Sequence, residues 1–183
     1  MKSSAADPWS LSWETACTLT ELGELTARWL TGELNEHPAY GGAPEEETRS
    51  MVDLLAKVNR AGLLTDFSQP GSSDARTRQR AAVAGYCDEA ILKRLLVAFA
   101  ATDLILLNEH TDSGIRVPVS YRGGKPCTFL GGKHGPDGWD KVLSDVAMAV
   151  LENSWYVTII DPSWGRDDRL WPTLAEGLAI SSR

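Results

Sequence analysis

Apolar residues recur at three- and four-residue steps along several stretches of the chain, the spacing that places side chains on one face of a helix. This pattern predicts helices over residues 13–34, 45–60, 88–101, 139–153 and 169–178. The second of these begins with three glutamates, which suit the positive end of a helix dipole. Gly62 follows it and is a suitable C-terminal stop.

Shorter apolar runs, several of them rich in β-branched residues, predict strands. They cover residues 63–67, 79–87, 104–108, 115–121, 126–130 and 155–160. The fourth and fifth flank Arg-Gly-Gly-Lys and resemble a hairpin, while the last has the composition of a strand at the centre of a sheet. Because helices and strands are interspersed and a hairpin is present, we expect an α+β fold, a single domain with a mixed β-sheet flanked by helices.

The chain of 183 residues has the length of one ordinary domain. Residues 1–12 are polar and predict a flexible N-terminal arm, which leaves residues 13–183 as the domain. Residues 70–78 predict a flexible connection within it. The three cysteines share no close spacing, so we expect neither a disulfide framework nor a zinc site.

Charge and hydropathy narrow the classes of partner. A formal net charge of −7 argues against a broad nucleic-acid surface, which needs clustered lysine and arginine. The N-terminus carries no apolar run typical of a signal peptide, and the longest apolar run is too short to span a bilayer. We therefore expect a cytoplasmic protein that binds neither nucleic acid nor membrane.

Candidate ligand-binding residues lie at both ends of one predicted helix–strand unit. Glu47 and Thr48 stand at the start of the helix, and Thr65 and Ser68 lie in and after the strand that follows it. A carboxylate accepts hydrogen bonds from ribose hydroxyls or pairs with an ammonium, and hydroxyls both donate and accept. The same residue types also suit a purely structural role, as the start of a helix and the brace of a turn.

The segment from Glu47 to Pro70 carries a longer motif. Its parts are Glu47-Thr48, Leu54-Leu55, Val58-Asn59-Arg60-Ala61-Gly62-Leu63-Leu64-Thr65 and Ser68-Gln69-Pro70. In this order they resemble the C-terminal regulatory domain of eukaryotic methylenetetrahydrofolate reductases, where a Glu-Thr pair opens a helix that ends in Asn-Arg-x-Gly. Two later segments, 79–86 and 153–174, are similar to further parts of the same domain.

That family's domain binds S-adenosylmethionine or S-adenosylhomocysteine, and the ligand sets the activity of a separate catalytic barrel. The resemblance implies the same ligands here, with Glu47, Thr48, Thr65 and Ser68 at ligand-contacting positions. Two further residues fall near threonines of the family when gaps are allowed; they are Ser120, which replaces a threonine, and Thr128. A chain of this length leaves no room for the barrel, so no flavin, nicotinamide or metal cofactor is expected.

The resemblance thus implies a stand-alone S-adenosylmethionine/S-adenosylhomocysteine-binding protein, a sensor or regulatory module that acts on a partner protein. One alternative is an enzyme that acts on S-adenosylmethionine, either by transferring its methyl group or by cleaving the molecule. No nucleophile or general base has an evident spacing for that chemistry, so enzymatic activity is left open and not favoured. Another alternative is an acidic, ligand-free interaction protein of the inhibitor or immunity type.

Other candidate motifs favour structural interpretations. Glu21 and Glu24 have Glu-x-x-Glu metal-motif spacing, yet a solvated helix face explains them better. The histidines at 37, 110 and 134 lie in separate loops and are expected on the surface. Cys87 has no basic neighbour in sequence and is expected to be an inert thiol.

Overall fold

The computed structural model describes residues 11–74, 76–132, 134–136 and 138–181. The helices are α1 (Leu19–Leu30), α2 (Val52–Arg60), α3 (Glu89–Phe99), α4 (Glu109–Asp112), α5 (Asp145–Glu152) and α6 (Leu170–Gly177), with a 3₁₀ helix (Glu46–Met51) directly before α2. The strands are β1 (Leu64–Gln69), β2 (Ser72–Ser73), β3 (Thr77–Gln79), β4 (Ala82–Cys87), β5 (Ile105–Asn108), β6 (Arg116–Arg122), β7 (Lys125–Gly131) and β8 (Trp155–Ile160). The predicted α+β class is confirmed.

The strands form two four-stranded sheets, with the orders β1-β4-β8-β5 and β2-β3-β6-β7. Every strand pair within the described residues is antiparallel, so the prediction of a mixed sheet is wrong. The reason lies in β8. Helix α3 connects β4 to β5, but β8 lies between these two strands and pairs with both, so neither strand has a parallel neighbour.

The first sheet is covered on both faces, and this explains the apolar sequences of its central strands. Val83 and Cys87 of β4 face a core cluster that includes α2, α3 and α6. Ala84 and Tyr86, which alternate with them, face a second cluster that includes α1 and α5. Strands buried on both faces have near-continuous apolar runs instead of an alternating pattern. The predicted central position of β8 is confirmed.

Side-chain caps decide where the helices begin. The Thr18 hydroxyl accepts the Glu21 N–H at 3.1 Å, and the Glu21 carboxylate accepts the Cys17 N–H at 2.8 Å. These two bonds satisfy free N–H groups at the start of α1. Helix α5 begins after Ser144, whose hydroxyl accepts the Ala147 N–H at 3.2 Å. The predicted starts at 13 and 139 are therefore wrong by more than a turn.

The predicted flexible connection at 70–78 contains β2 and the first two residues of β3. The turn between them is held by the Asp74 carboxylate, which accepts N–H bonds from Arg76 and Thr77 at 2.6 and 2.7 Å. Gln69 then ties the two sheets together. Its side-chain amide, 4% exposed, donates to the carbonyls of Arg80 at 2.7 Å and Val119 at 2.9 Å.

Most of the predicted arm, residues 1–10, lies outside the described residues. Leu11 packs against the second core cluster, and the carbonyl of Ser12 accepts the Ala16 N–H at 3.0 Å. The Trp13 indole N–H donates to the carbonyl of Glu36 at 3.2 Å, which fixes this segment to the loop after α1. None of the described helices has both the length and the apolar character that a membrane crossing requires.

Candidate functional site

A pocket of about 190 Å³ opens between the C-terminal end of α1, the 3₁₀ helix and β1. Its polar lining includes four residues that the sequence singled out, which are Glu47, Thr48, Thr65 and Ser68. Its apolar walls include Trp29, Leu30, Tyr40, Pro44, Leu55 and Phe67. We call it the α1–β1 pocket. The two ends of the helix–strand unit therefore meet at one rim, as the sequence predicted.

Asn59 holds Thr65 in position. Its side chain is 1% exposed; the carbonyl oxygen accepts the Thr65 backbone N–H at 2.9 Å, and the amide nitrogen donates to the Thr65 hydroxyl at 2.8 Å and to the Leu55 carbonyl at 2.8 Å. Because the Thr65 oxygen already accepts one hydrogen bond, its own hydrogen remains for donation. The 7%-exposed Thr65 hydroxyl is thus a directed donor beside the pocket.

Glu47 stands on the exposed side of the pocket, whereas Thr48 is only 9% exposed. The Glu47 carboxylate accepts a hydrogen bond from the Gln79 amide at 3.2 Å. The other end of that amide, its carbonyl oxygen, accepts the Ser72 hydroxyl at 2.9 Å. One carboxylate oxygen of Glu47 is therefore engaged by the second sheet, and the other has no hydrogen-bond partner among the described residues.

Two aromatic rings form one wall. The indole of Trp29 and the phenol of Tyr40 stack with their planes 7° apart and their centroids separated by 5.7 Å. The Trp29 N–H donates to the Gly42 carbonyl at 2.7 Å, and the Tyr40 hydroxyl donates to the backbone carbonyl of Asp66. The first bond fastens the loop to α1, and the second fastens it to β1. Tyr40 remains 51% exposed, so part of its ring is open to a ligand.

The described lining of the α1–β1 pocket is acidic. Its charged side chains are the carboxylates of Glu45 and Glu47, with no lysine or arginine among them. A cleft lined by one sign of charge attracts ligands of the opposite sign. Aromatic faces also favour cations and planar rings. The lining thus suits a positively charged ligand with a flat ring system and hydroxyl groups.

The other two predicted site residues lie elsewhere. Ser120 and Thr128 face each other across β6 and β7, and the structure does not place them in the α1–β1 pocket. The Ser120 hydroxyl donates to the Thr128 hydroxyl at 2.8 Å and accepts the Thr128 N–H at 3.1 Å. These residues belong to the second sheet. Gln79, which pairs with Ser120 in the strand register and bonds to Glu47, links them to the pocket.

Sequence reasoning assigned no role to Asn59, Gln79, Trp29 or Tyr40. Asn59 stood inside the recognised motif, but its sequence context indicated only a helix end. Trp29 fitted the periodic apolar face of α1, which is also the pattern of an ordinary core residue. Gln79 and Tyr40 reach the pocket through tertiary contacts that leave no local signal.

Several other residues that the sequence singled out lie outside the pocket, and their contacts or burial give them structural roles. Glu24 pairs with Arg60 at 2.7 Å. Cys87 is fully buried, and burial raises the pKa of its thiol to about 12. The expected surface position is wrong for His37, which is 2% exposed. Within the described residues, no group of three or more His, Cys, Asp and Glu side chains is arranged to hold a metal ion.

The fold and the pocket define a small α+β domain with an acidic, aromatic-walled pocket at the junction of a helix and a sheet edge. The chain belongs to the family described as Domain of unknown function (DUF6919), whose model matches residues 9–181. No curated protein matches the chain.

Proposed function

We propose that the protein is a binding module for S-adenosylmethionine or S-adenosylhomocysteine, with the α1–β1 pocket as its site. One observation carries the proposal. Four residues selected from the sequence motif, located on the 3₁₀ helix and on β1, line one pocket together with two stacked aromatic rings. The resemblance to the regulatory domain of methylenetetrahydrofolate reductases supports the choice of ligand.

The chemistry of the lining matches the groups of these ligands. A purine is a flat ring that stacks on aromatic side chains, and Trp29 and Tyr40 present such a wall. A ribose diol or an ammonium group suits the Glu47 carboxylate. The hydroxyl of Thr65, oriented by Asn59, supplies a fixed donor. The sulfonium of S-adenosylmethionine adds a positive charge that the two rim carboxylates favour.

The pocket volume limits how much ligand is enclosed. Small-molecule pockets typically measure roughly 300–1,000 Å³, and the α1–β1 pocket has about 190 Å³. We therefore assign the adenosine half to the enclosed part. The methionine half would extend over the rim, near Glu45 and Glu47. Adenosine alone is then expected to retain much of the affinity, and methionine alone very little.

We further propose a sensing role in the cytoplasm, in which ligand occupancy changes how the module acts on a partner protein. The mobile part of such a response would be the aromatic wall, because among the described residues one side-chain bond, from Tyr40 to the Asp66 carbonyl, fastens this loop to β1. A ligand that stacks on Tyr40 would stabilise one arrangement of this loop. Ligand binding shifts a conformational equilibrium by its difference in affinity for the two states.

Isothermal titration calorimetry with S-adenosylmethionine, S-adenosylhomocysteine, adenosine and methionine tests the assignment. In Glu47→Gln a charge-assisted hydrogen bond is lost, which we expect to weaken binding about tenfold or more. In Thr65→Val a neutral hydrogen bond is lost, and the expected weakening is roughly two- to tenfold.

Ser120→Ala is the matched control, since it removes a hydroxyl of similar burial outside the pocket. The affinity of this variant for the adenosyl ligands should equal that of the parent protein. Thermal melts establish that each variant is folded. Absence of heat at millimolar ligand with folded protein would reject the proposal. Equal weakening by Ser120→Ala and Thr65→Val would reject the assignment of the site.

A further inference from the structure

Strand β1 contains a bulge at Asp66, between two residues that line the α1–β1 pocket. Thr65 pairs with Gly85 and Phe67 with Ala84, so Asp66 is the extra residue between two register positions. A bulge changes the direction of a side chain relative to a regular strand and is frequent near functional sites. Thr65 and Phe67 line the α1–β1 pocket, while Asp66 does not.

Three donors from distant parts of the chain converge on the Asp66 carboxylate, which is 10% exposed. The Trp139 indole N–H bonds to one oxygen at 3.1 Å, and the Tyr156 hydroxyl and His134 Nε2 bond to the other at 3.3 and 2.8 Å. Burial raises the pKa of Tyr156, and the Asp66 carboxylate acts in the same direction, so the phenol keeps its proton and donates it.

This contact decides which nitrogen of His134 carries the hydrogen in the neutral ring. An ionised carboxylate only accepts hydrogen bonds, so Nε2 is the protonated nitrogen and Nδ1 holds the lone pair. No hydrogen bond to Nδ1 occurs among the residues that the structure describes. The ring is further held by stacking on Tyr156, with centroids 4.0 Å apart and planes 14° apart. The His134 backbone N–H donates to the Glu109 carboxylate at 3.1 Å.

The 34%-exposed imidazole of His134 lines a second cleft of about 380 Å³, separate from the α1–β1 pocket. The cleft is bordered by α4 and α5, and its described lining also contains Tyr86, Glu109, His110, Ser113 and Glu152. Its two glutamates give it negative charge, and the described lining contains no lysine or arginine. A small cationic or neutral molecule is therefore favoured over an anion.

We propose that Asp66 and His134 form an acid–base pair, with His134 as general base toward a small, positively charged substrate in this cleft. In the step, Nδ1 of His134 accepts a proton from an acidic C–H or O–H of the substrate, and the bonding electrons stay on the substrate. The imidazolium that forms is paired with the Asp66 carboxylate. The proton is then returned to the product or to solvent. Asp66 is a positioning residue that fixes the tautomer and stabilises the charge.

The probe is 5-nitrobenzisoxazole, whose elimination reaction requires only a base. Removal of its C3 proton breaks the N–O bond, and the electron pair leaves as a coloured 2-cyano-4-nitrophenolate. The protein should accelerate this reaction beyond free imidazole at equal concentration. His134→Gln should lower the rate at least tenfold, since a positioned general base contributes roughly 10²–10⁴-fold. His110→Gln removes the other histidine of the cleft and should lower the rate much less than His134→Gln does.

Two further measurements test, separately, the positioning role of Asp66 and the preference of the cleft for a cation. Nitrogen-15 spectra of the imidazoles should show Nε2–H for His134 in the parent protein, and the Nδ1–H form in Asp66→Asn, whose amide donates to Nε2. Benzyltrimethylammonium should inhibit the reaction at lower concentrations than benzoate.

A folded His134→Gln variant that keeps the parent rate, or a parent protein no faster than imidazole, would overturn the proposal. An Nδ1–H tautomer in the parent protein would overturn the role of Asp66, and equal inhibition by both ions would overturn the preference for a cation. Loss of folding in Asp66→Asn does not weaken these tests, because they use His134→Gln and the parent protein. None of them depends on binding of S-adenosylmethionine.

Discussion

His37 lies in the loop after α1, and four aromatic rings surround its side chain. Its ring centroid is 4.7 Å from those of Trp29 and Trp139 and 5.0 Å from those of Trp13 and Tyr40. Its Nδ1 accepts the Ala39 N–H at 3.2 Å, and its backbone pairs with Gly41. Burial lowers the pKa of His37 to about 4, and the Asp66 carboxylate opposes this only in part. The imidazole is therefore neutral in the folded protein at physiological pH.

This burial predicts a loss of stability in mild acid. In the unfolded chain His37 takes up a proton below its ordinary pKa of about 6.5, whereas the folded protein resists protonation down to about pH 4. The free energy of unfolding should therefore fall between these two values as pH decreases. At about 1.4 kcal/mol for each pKa unit, the total loss is about 3 kcal/mol.

Urea unfolding of the parent protein and of His37→Phe at several pH values between 7 and 4 measures this contribution. The phenyl ring keeps the aromatic packing and has no titratable group. As the pH falls from 7 to 4, the variant should gain about 3 kcal/mol in free energy of unfolding relative to the parent protein. Other titrating groups are common to both proteins and cancel in the difference. Parallel stability curves would contradict the assignment.

At the scale of one element, the bulge in β1 sends side chains to two sites. Thr65 faces the α1–β1 pocket, and Asp66 faces His134. Strand β4 permits the bulge because the residue opposite Thr65 is Gly85. A Cβ at that position would overlap the Leu64 carbonyl oxygen and lie 2.9 Å from the Thr65 Cα. The obstacle is backbone, which gives way far less easily than the end of a flexible side chain.

Gly85→Ala should therefore displace β1. We expect a loss of about 1–3 kcal/mol in the free energy of unfolding, the usual cost of overpacking. The variant should also show weaker ligand binding by calorimetry and an altered His134 imidazole signal, because both sites use β1. Gly114→Ala is the control, since a Cβ there meets nothing within 4 Å. Its stability should stay within about 0.5 kcal/mol of the parent protein.

At the scale of the whole molecule, the two sheets are joined by a small apolar cluster and by several polar contacts. The Gln69 amide reaches the carbonyls of Arg80 and Val119, at the point where the chain passes from β3 in one sheet to β4 in the other. Arg80 also donates its backbone N–H to Val119 and lies 4.1 Å from the centre of the Trp164 ring. These contacts hold the second sheet, and with it Gln79, against the α1–β1 pocket.

Gln69→Leu should loosen this junction. The leucine fills similar space but leaves the Arg80 carbonyl without its donor, which costs about 1–3 kcal/mol. Hydrogen exchange should accelerate in β3, β6 and β7 more than in β4 and β8. Ser72→Ala, which removes an exposed hydroxyl at the same edge, should change neither stability nor exchange in the first sheet. Uniform acceleration in both sheets would show that Gln69 does not act at the junction.

The sequence predicted most of the elements and part of the site. Periodicity located α2, α3 and α6 and all strands of the first sheet, because helix and strand patterns are local. The hairpin of β6 and β7 followed from Arg-Gly-Gly-Lys. Even so, Thr18 and Ser144 were not recognised as caps, although their signals are local. Short strands β2 and β3 carried too little hydrophobic pattern to be distinguished from a loop.

By itself, then, the sequence determined the α+β class, the central place of β8 and the placement of Glu47 and Thr65 at one pocket, since these depend on composition or on the course of one helix–strand unit. Only the tertiary structure decided the pairing of strands and the surroundings of Asp66. Its partners Trp139 and Tyr156 lie 73 and 90 positions away. Contacts at such separations arise when distant elements pack together, and no local pattern of residues specifies which of them will meet.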